Sequence, residues 1–479
     1  MSNNKIKKNY VYNLIYRIVM IAAPLITSPY ISRVLGPEKI GEYSYIYSIA
    51  HVFLIIAMLG VSDYGNREIA KVKDDENKKN TVFCEIFYFQ LILGIIMSLS
   101  YLGYIFTFCD DKILGLTQLL LVVSTLFDLT WLMFGLEQFL VTTIRSVIVK
   151  IISVVCIIVF VKSQSDLMIY ALIMSASVLI SQISIWPIIH KYIKFKRVSF
   201  KGILRHLKPN LVLFLPVIAN NLLAYFDKIM IGSMCTKEEL GCYDNAEKLL
   251  SIPNSFITAL GTVMLPRISN AYAKGETEKI EQYTYLSIIF MVFASCALAF
   301  GLCSVSKEFV PIFFGDGYDL VITLIICLFP YIIFVCWSNV LKTQIFLPRG
   351  QDKFLVLSLI IGAIINLILN SILIPFYGAI GASIATTIAE LSIAVLGTIF
   401  ARKMFKYRKY ILQSIPFILF GVVMLLAIIF INFDNSIVTL FTKIGIGATI
   451  YLVLSAIYIR LFHKQVWDFI FSRKKMDKK

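Results

Sequence analysis

Runs of roughly 20 apolar residues recur along nearly the whole chain, separated by short polar connectors. Each run is long enough to cross a hydrocarbon core of about 30 Å. Within lipid such a run must be helical, because nothing there can partner a stray backbone N–H or C=O. Alternating segments of about 10 residues, the mark of a membrane β-barrel, are not seen. The pattern predicts spans near 10–33, 41–62, 82–107, 114–135, 140–161 and 167–189. Eight more follow, near 210–233, 239–264, 281–304, 319–340, 354–375, 378–401, 411–431 and 437–461. The expected fold is an all-α integral membrane protein of about fourteen transmembrane helices.

Composition agrees: 58% of the 479 residues are hydrophobic and 15% charged, where a soluble globular chain carries about 25% charged residues. A net charge of +16 raises the question of nucleic acid. A nucleic-acid-binding domain, however, gathers its lysines and arginines on one soluble face, and here they lie in connectors, so no nucleic-acid partner is expected. With the N-terminus inside, the inner connectors and tail hold thirty-three Lys and Arg residues. The outer loops hold six: Arg33, Lys39, Lys112, Lys162, Lys237 and Lys307. The positive-inside rule therefore places both termini in the cytoplasm. The basic start, with Lys5, Lys7 and Lys8, runs on through Arg17 and Pro24 without a small-residue cleavage site, and reads as a first helix that stays. Nine scattered cysteines without a C-x-x-C suggest neither a zinc site nor a redox pair.

Two halves of the chain echo each other at an offset of about 200 residues. Glu38-Lys39-Ile40-Gly41-Glu42-Tyr43 corresponds to Glu238-Glu239-Leu240-Gly241-Cys242-Tyr243, Arg67 to Arg267, and spans 1 and 7 each contain a proline, Pro24 and Pro216. The expected organisation is an N-lobe of six spans over 1–190, a basic connector over 191–208, a C-lobe of six over 209–402, and a final helix pair with a basic tail over 403–479. Because each lobe has an even number of spans, the repeats are parallel. Transporters built from repeats place the site between them and rock around it.

Charges within spans are expensive and usually face a wet cavity or one another. The bases are Arg17, Arg145, Lys150, Lys228 and Lys248, with Lys443 expected to snorkel outward; the acids are Asp128, Asp227, Asp244, Glu247 and Glu390. Helical spacing puts Asn13 with Arg17, and Asp244 with Lys248, on shared faces. Interhelical ion pairs would explain some of these groups. Five cations near one cavity exceed that need and suit a phosphate or carboxylate partner. His51, Trp131 and Trp337 read as hydrogen-bonded or packing residues. No G-x-x-x-x-G-K-[ST] loop, G-x-S-x-G elbow or metal-spaced histidine pair occurs. ATP is therefore not the direct driver, no cofactor or metal is expected, and the chain does not read as an enzyme.

Several stretches carry a family resemblance. Pro29-Tyr30-Ile31-Ser32-Arg33-Val34-Leu35-Gly36-Pro37-Glu38-Lys39-Ile40-Gly41-Glu42-Tyr43-Ser44 resembles the span 1–2 signature of Wzx-type polysaccharide repeat-unit flippases, relatives of the MATE exporters. Tyr64 to Ala70, Asp128-Leu129-Thr130-Trp131, Gly135-Leu136-Glu137, Tyr243 to Lys248 and Ile374 to Ala382 are similar to other parts of that pattern, with Leu132 and Met133 where aromatics are usual. The resemblance implies a MATE-like fold in the bacterial cytoplasmic membrane. It also implies movement of an undecaprenyl-diphosphate-linked oligosaccharide to the outer leaflet for capsule or O-antigen-type polysaccharide. On that reading Arg17, Arg145, Lys150, Lys228 and Lys248 contact substrate, and Asp128, Asp227 and Glu390 couple transport to H+ or Na+. Partners would be membrane lipid and polysaccharide polymerase or assembly proteins. The rivals are a MATE-like antiporter exporting small molecules, which would want a predominantly acidic cavity, an oligosaccharide polymerase or ligase, and an uncoupled scramblase.

Overall fold

The computed structural model describes residues 3–471, with side chains described over 19–468 apart from residues 20, 21, 215, 216, 219, 220, 222 and 223. Among the described residues every regular element is helical. In chain order the α-helices are α1 (Asn3–Met58), α2 (Val61–Val72), α3 (Glu76–Phe108), α4 (Lys112–Val123), α5 (Thr130–Gly135) and α6 (Phe139–Phe160). There follow α7 (Leu167–Ile183), α8 (Trp186–Ile189), α9 (Phe200–Leu204), α10 (Leu207–Met234), α11 (Lys237–Ala273) and α12 (Thr277–Phe314). The last are α13 (Asp319–Val340), α14 (Asp352–Ala401), α15 (Tyr407–Ile428), α16 (Ser436–Phe462) and α17 (Lys464–Phe471). Eleven stretches among the described residues are long and apolar enough to cross a membrane. The all-α membrane fold is thus borne out, while the total of fourteen spans remains the sequence's expectation.

Breaks between spans are tighter than the hydrophobic pattern suggests. α1 runs through spans 1 and 2 and breaks only at Gly36, whose φ of 75° suits a residue without a Cβ and whose neighbour Pro37 cannot donate to the preceding turn. α14 joins spans 11 and 12 in the same way, breaking at Gly378 (φ 55°) just after Pro375. The span expected over 114–135 is interrupted instead. α4 passes into a 3-10 turn over Ser124–Phe127, and Asp128 is extended before α5 begins. Carbonyls there are met by side chains: Gln90 Nε2 donates to Thr125 O at 2.5 Å and to Asp128 O at 2.9 Å, and Trp131 Nε1 donates to Asp128 O at 3.1 Å. Irregular backbone at membrane depth survives only where protein satisfies it in this way.

Contacts gather the chain into two compact units, Met1–Asp244 and Asn245–Lys479. In the first, α6 turns Ile144, Ile148, Ile151, Ile152, Val155 and Val159 outward and keeps Thr142, Thr143 and Ser153 buried, the inverse of a soluble helix. An apolar cluster there joins Phe83 and Phe87 of α3 to Trp131 of α5, with Trp131 fully buried and its Nε1 donating to Gln90 Oε1 at 2.8 Å. The connector before α10 is anchored by Glu85 of α3, which is ion-paired to Arg205 and lies 3.1 Å from His206 Nε2, while Tyr64 OH meets His206 Nδ1 at 2.7 Å.

α12 is buried along most of its length in the second unit, polar positions included (Thr284, Ser287, Ser295, Ser306 and Glu308). Lys443 of α16 does not snorkel. It is 4% exposed and pairs with Glu308 at 2.7 Å. The outward reading failed because Glu308 falls beyond the expected end of span 9, whereas α12 continues to Phe314 and carries the carboxylate to Lys443.

Candidate functional site

Charge at depth in the first unit centres on α10, the first turns of α11 and the second half of α1. Lys228 Nζ lies 2.6 Å from Asp244 Oδ1, with both side chains largely buried. Ser44 Oγ donates to that same carboxylate oxygen at 3.0 Å. Next to Lys228 in sequence, Asp227 is fully buried and accepts from Tyr243 OH at 2.9 Å. Removing one partner of such a pair leaves an uncompensated buried charge, at a cost of about 3–5 kcal/mol.

Aromatic rings line the α1 side of this charge. Tyr43, Tyr47 and His51 recur at four-residue spacing and so share a face. Tyr43 stacks on Tyr47 and meets Tyr170 of α7 edge-on at 4.9 Å. His51 lies between Tyr47 and Tyr225 of α10, with centroids 4.8 and 4.5 Å away. The hydrogen-bonded histidine expected from sequence is instead held by stacking, and its Nδ1 has no partner among the described residues.

The two copies of the repeated motif meet here. A Cβ added at Gly41 would overlap the Lys237 carbonyl, and one added at Gly241 would overlap the Pro37 carbonyl. Gly41 faces Gly241, and Ser44 reaches Asp244, each exactly two hundred residues on. A contact in which i touches j and the counterpart of i touches the counterpart of j is what a local two-fold relation produces. It accounts for glycine at both positions: only a missing side chain lets the backbones approach so closely.

A second polar group joins α5, α6 and α7. Arg145 donates to Gln182 Oε1 at 3.0 Å and to Thr130 Oγ1 at 3.3 Å. Asp128 lies just before α5, its Oδ1 accepting from Thr130 N at 2.8 Å. Asp128 and Arg145 thus both engage Thr130. Lys150, further along α6 and half-buried, has no hydrogen bond or ion pair for its ammonium among the described residues. In the second unit, Lys248 Nζ lies 3.3 Å from Asn245 Oδ1. Glu390 of α14 sits beside Ser338 of α13 without an ion pair among the described residues. The side chain of Arg17 lies outside the described residues. The structure therefore joins Lys228 to Asp244, and brings Asp128 and Arg145 together through Thr130.

A family model described as "Polysaccharide biosynthesis protein" matches residues 6–272, more than half of the chain. The chain belongs to that family. A second model, MatE, matches residues 213–372. The "Putative O-antigen transporter" of Shigella dysenteriae is 25% identical over 394 residues, covering 81% of this chain and 98% of that protein. Its namesake in Escherichia coli K12 is 23% identical over 414 residues, covering 84% and 98%. Among solved structures, "Lipid II flippase MurJ, inward closed conformation" superposes with a TM-score of 0.74 at 17% identity, covering 94% of this chain and 98% of that one, and so shares the fold. The resemblance read from the motifs is borne out.

Within this family frame, sequence reasoning missed three features. Glu85 and Glu308 are buried carboxylates near the ends of expected spans, where a charge reads as a connector residue. The face formed by Tyr43, Tyr47 and His51 was visible as a four-residue period, but its polarity was masked by aromatic carbon. Among the described residues no group of His, Cys, Asp and Glu is arranged to hold a metal ion.

Proposed function

We propose that this chain is a flippase. It carries an undecaprenyl-diphosphate-linked oligosaccharide from the cytoplasmic to the outer leaflet of a bacterial inner membrane, by alternating access. The family assignment and two transporter relatives matched over nearly their whole length support the class of cargo. The observation that carries the reading is Lys228, a cation kept at membrane depth by Asp244 and Ser44 beside an aromatic face. An ammonium there suits a diphosphate, which hydrocarbon alone rejects. A network that already neutralises the lysine lets it change partners rather than stand bare.

Arg17, Arg145, Lys150, Lys228 and Lys248 are the proposed substrate contacts. Asp227 and Glu390 are the proposed H+ or Na+ carriers, with Asp128, already engaged at the start of α5, the third candidate. The lobes divide at 190 and 402, both termini face the cytoplasm, polymerase and assembly proteins receive the product, and no catalytic step is made. The relatives' transport role and the basic inner connectors support this arrangement.

The test is surface glycan display in a strain lacking its own flippase, complemented by this chain or by Lys228→Ala, with membrane levels matched. Display restored by the native chain and lost with Lys228→Ala is the expected result. Undiminished display with Lys228→Ala removes the lysine from the site. Drug resistance without display points to the MATE-like export reading that the match over 213–372 keeps in view.

A further inference from the structure

We propose that the second unit carries a binding site for an anionic, phosphate-bearing group, separate from the translocation residues, where α12, α15, α16 and α17 end together. A cleft of about 660 Å³ opens there, lined among others by Glu281, Tyr285, Lys409, Gln413, His463 and Lys464. Lys409 and Lys464 are exposed cations, and neither forms an ion pair among the described residues. The acid beside them is already engaged, Glu281 pairing with Lys406 at 2.7 Å. That leaves Glu278 on the rim against two lysines.

The floor of the cleft is preformed. His463 is 1% exposed, its Nδ1 held by Tyr285 OH at 2.5 Å, while its Nε2 has no partner among the described residues. Lys409 Nζ lies 5.9 Å from the Tyr285 ring centre. Two ammonium groups against one carboxylate, over a preformed polar floor, suit a phosphate, which accepts point-charge donors through several oxygens. α17 sets the depth: it buries Val466 and places Trp467 with the Arg460 guanidinium 5.9 Å from its ring centre. Short amphipathic helices with such aromatic and basic residues lie at headgroup level. The phosphate would come from an anionic lipid of that leaflet or from free phosphate.

The experiment uses the full chain in nanodiscs of phosphatidylcholine with or without phosphatidylglycerol. It combines native mass spectrometry of retained lipid with acetylation footprinting of Lys409 and Lys464. Phosphatidylglycerol is expected to be retained over phosphatidylcholine and to shield both lysines. Each Lys→Gln change should weaken its retention about fivefold, a juxtamembrane lysine contributing about that much. Lys409→Arg with Lys464→Arg, which keeps the charge, should restore retention and so separates loss of the site from loss of the fold. Shielding by inorganic phosphate in the phosphatidylcholine discs supports the site with a soluble occupant. Equal retention of both lipids, or retention unchanged in Lys409→Gln/Lys464→Gln, overturns the proposal. So does failure of both phosphatidylglycerol and phosphate to shield the lysines.

Discussion

Lys443→Met separates two accounts of one lysine. If its ammonium snorkelled to the membrane surface, removing it would change stability little. The structure instead buries it against Glu308 at 2.7 Å, with exposures of 4% and 8%. At that separation and an effective dielectric of 20, the attraction is about 6 kcal/mol. Desolvating two ions consumes several kcal/mol for each, so the pair is close to neutral against an uncharged pair of the same shape. A single substitution is not neutral, because it strands the surviving charge: Lys443→Met or Glu308→Gln should each cost about 3–5 kcal/mol. Glu308 Oε2 has no hydrogen-bond partner among the described residues, which places the cost nearer the lower figure. The double variant should recover most of the loss, so the coupling energy approaches the sum of the two single losses, about 5 kcal/mol. The assay is denaturant unfolding of the purified chain in detergent, followed by Trp fluorescence for the native protein, both single variants and the double. A double variant as unstable as the two single losses added together would refute the pairing. A near-silent Lys443→Met would restore the snorkelling account.

Gly41→Val or Gly241→Val should abolish glycan display while the protein still inserts, since either Cβ overlaps a carbonyl of the facing segment. Overpacking of this kind costs about 1–3 kcal/mol or more, and display at native levels would argue against the close approach. Trp131→Phe keeps an aromatic ring but removes the N–H that donates to Gln90 Oε1, costing about 1–3 kcal/mol. Trp131→Ala should cost about 3–5 kcal/mol, and thermal unfolding with the two in the reverse order would contradict the packing described. His206 gives a pH signature. Burial holds its imidazole below the ordinary value of 6.5, against the opposing pull of Glu85. The folded state therefore binds that proton less readily than the unfolded state, and stability should fall as pH drops from 6.5 through the lower folded value. His206→Gln should flatten the slope in that window, and an unchanged slope would assign it to other groups.

Much of the fold could be read from the chain directly. Lipid leaves helices as the only choice for long apolar runs, and a helix needs only its own residues to satisfy its backbone. For the same reason the repeat was visible as two matching motifs two hundred residues apart. Where the helices stop, which charges meet, and which face turns inward are decided by contacts between distant segments. Gly36 breaks a helix that hydropathy divides by a loop. Gln90 makes a helix break at Asp128 tolerable from 38 residues away in sequence. Asp244 of α11 pairs with Lys228 of α10 and accepts from Ser44 of α1, partners that lie on other helices. Spacing along one helix ranks only that helix's own partners, whereas a buried carboxylate takes whichever cation the packing brings within about 3 Å. The chain alone thus told that charges lie where lipid should forbid them. Only the tertiary structure told which of them are spent on one another.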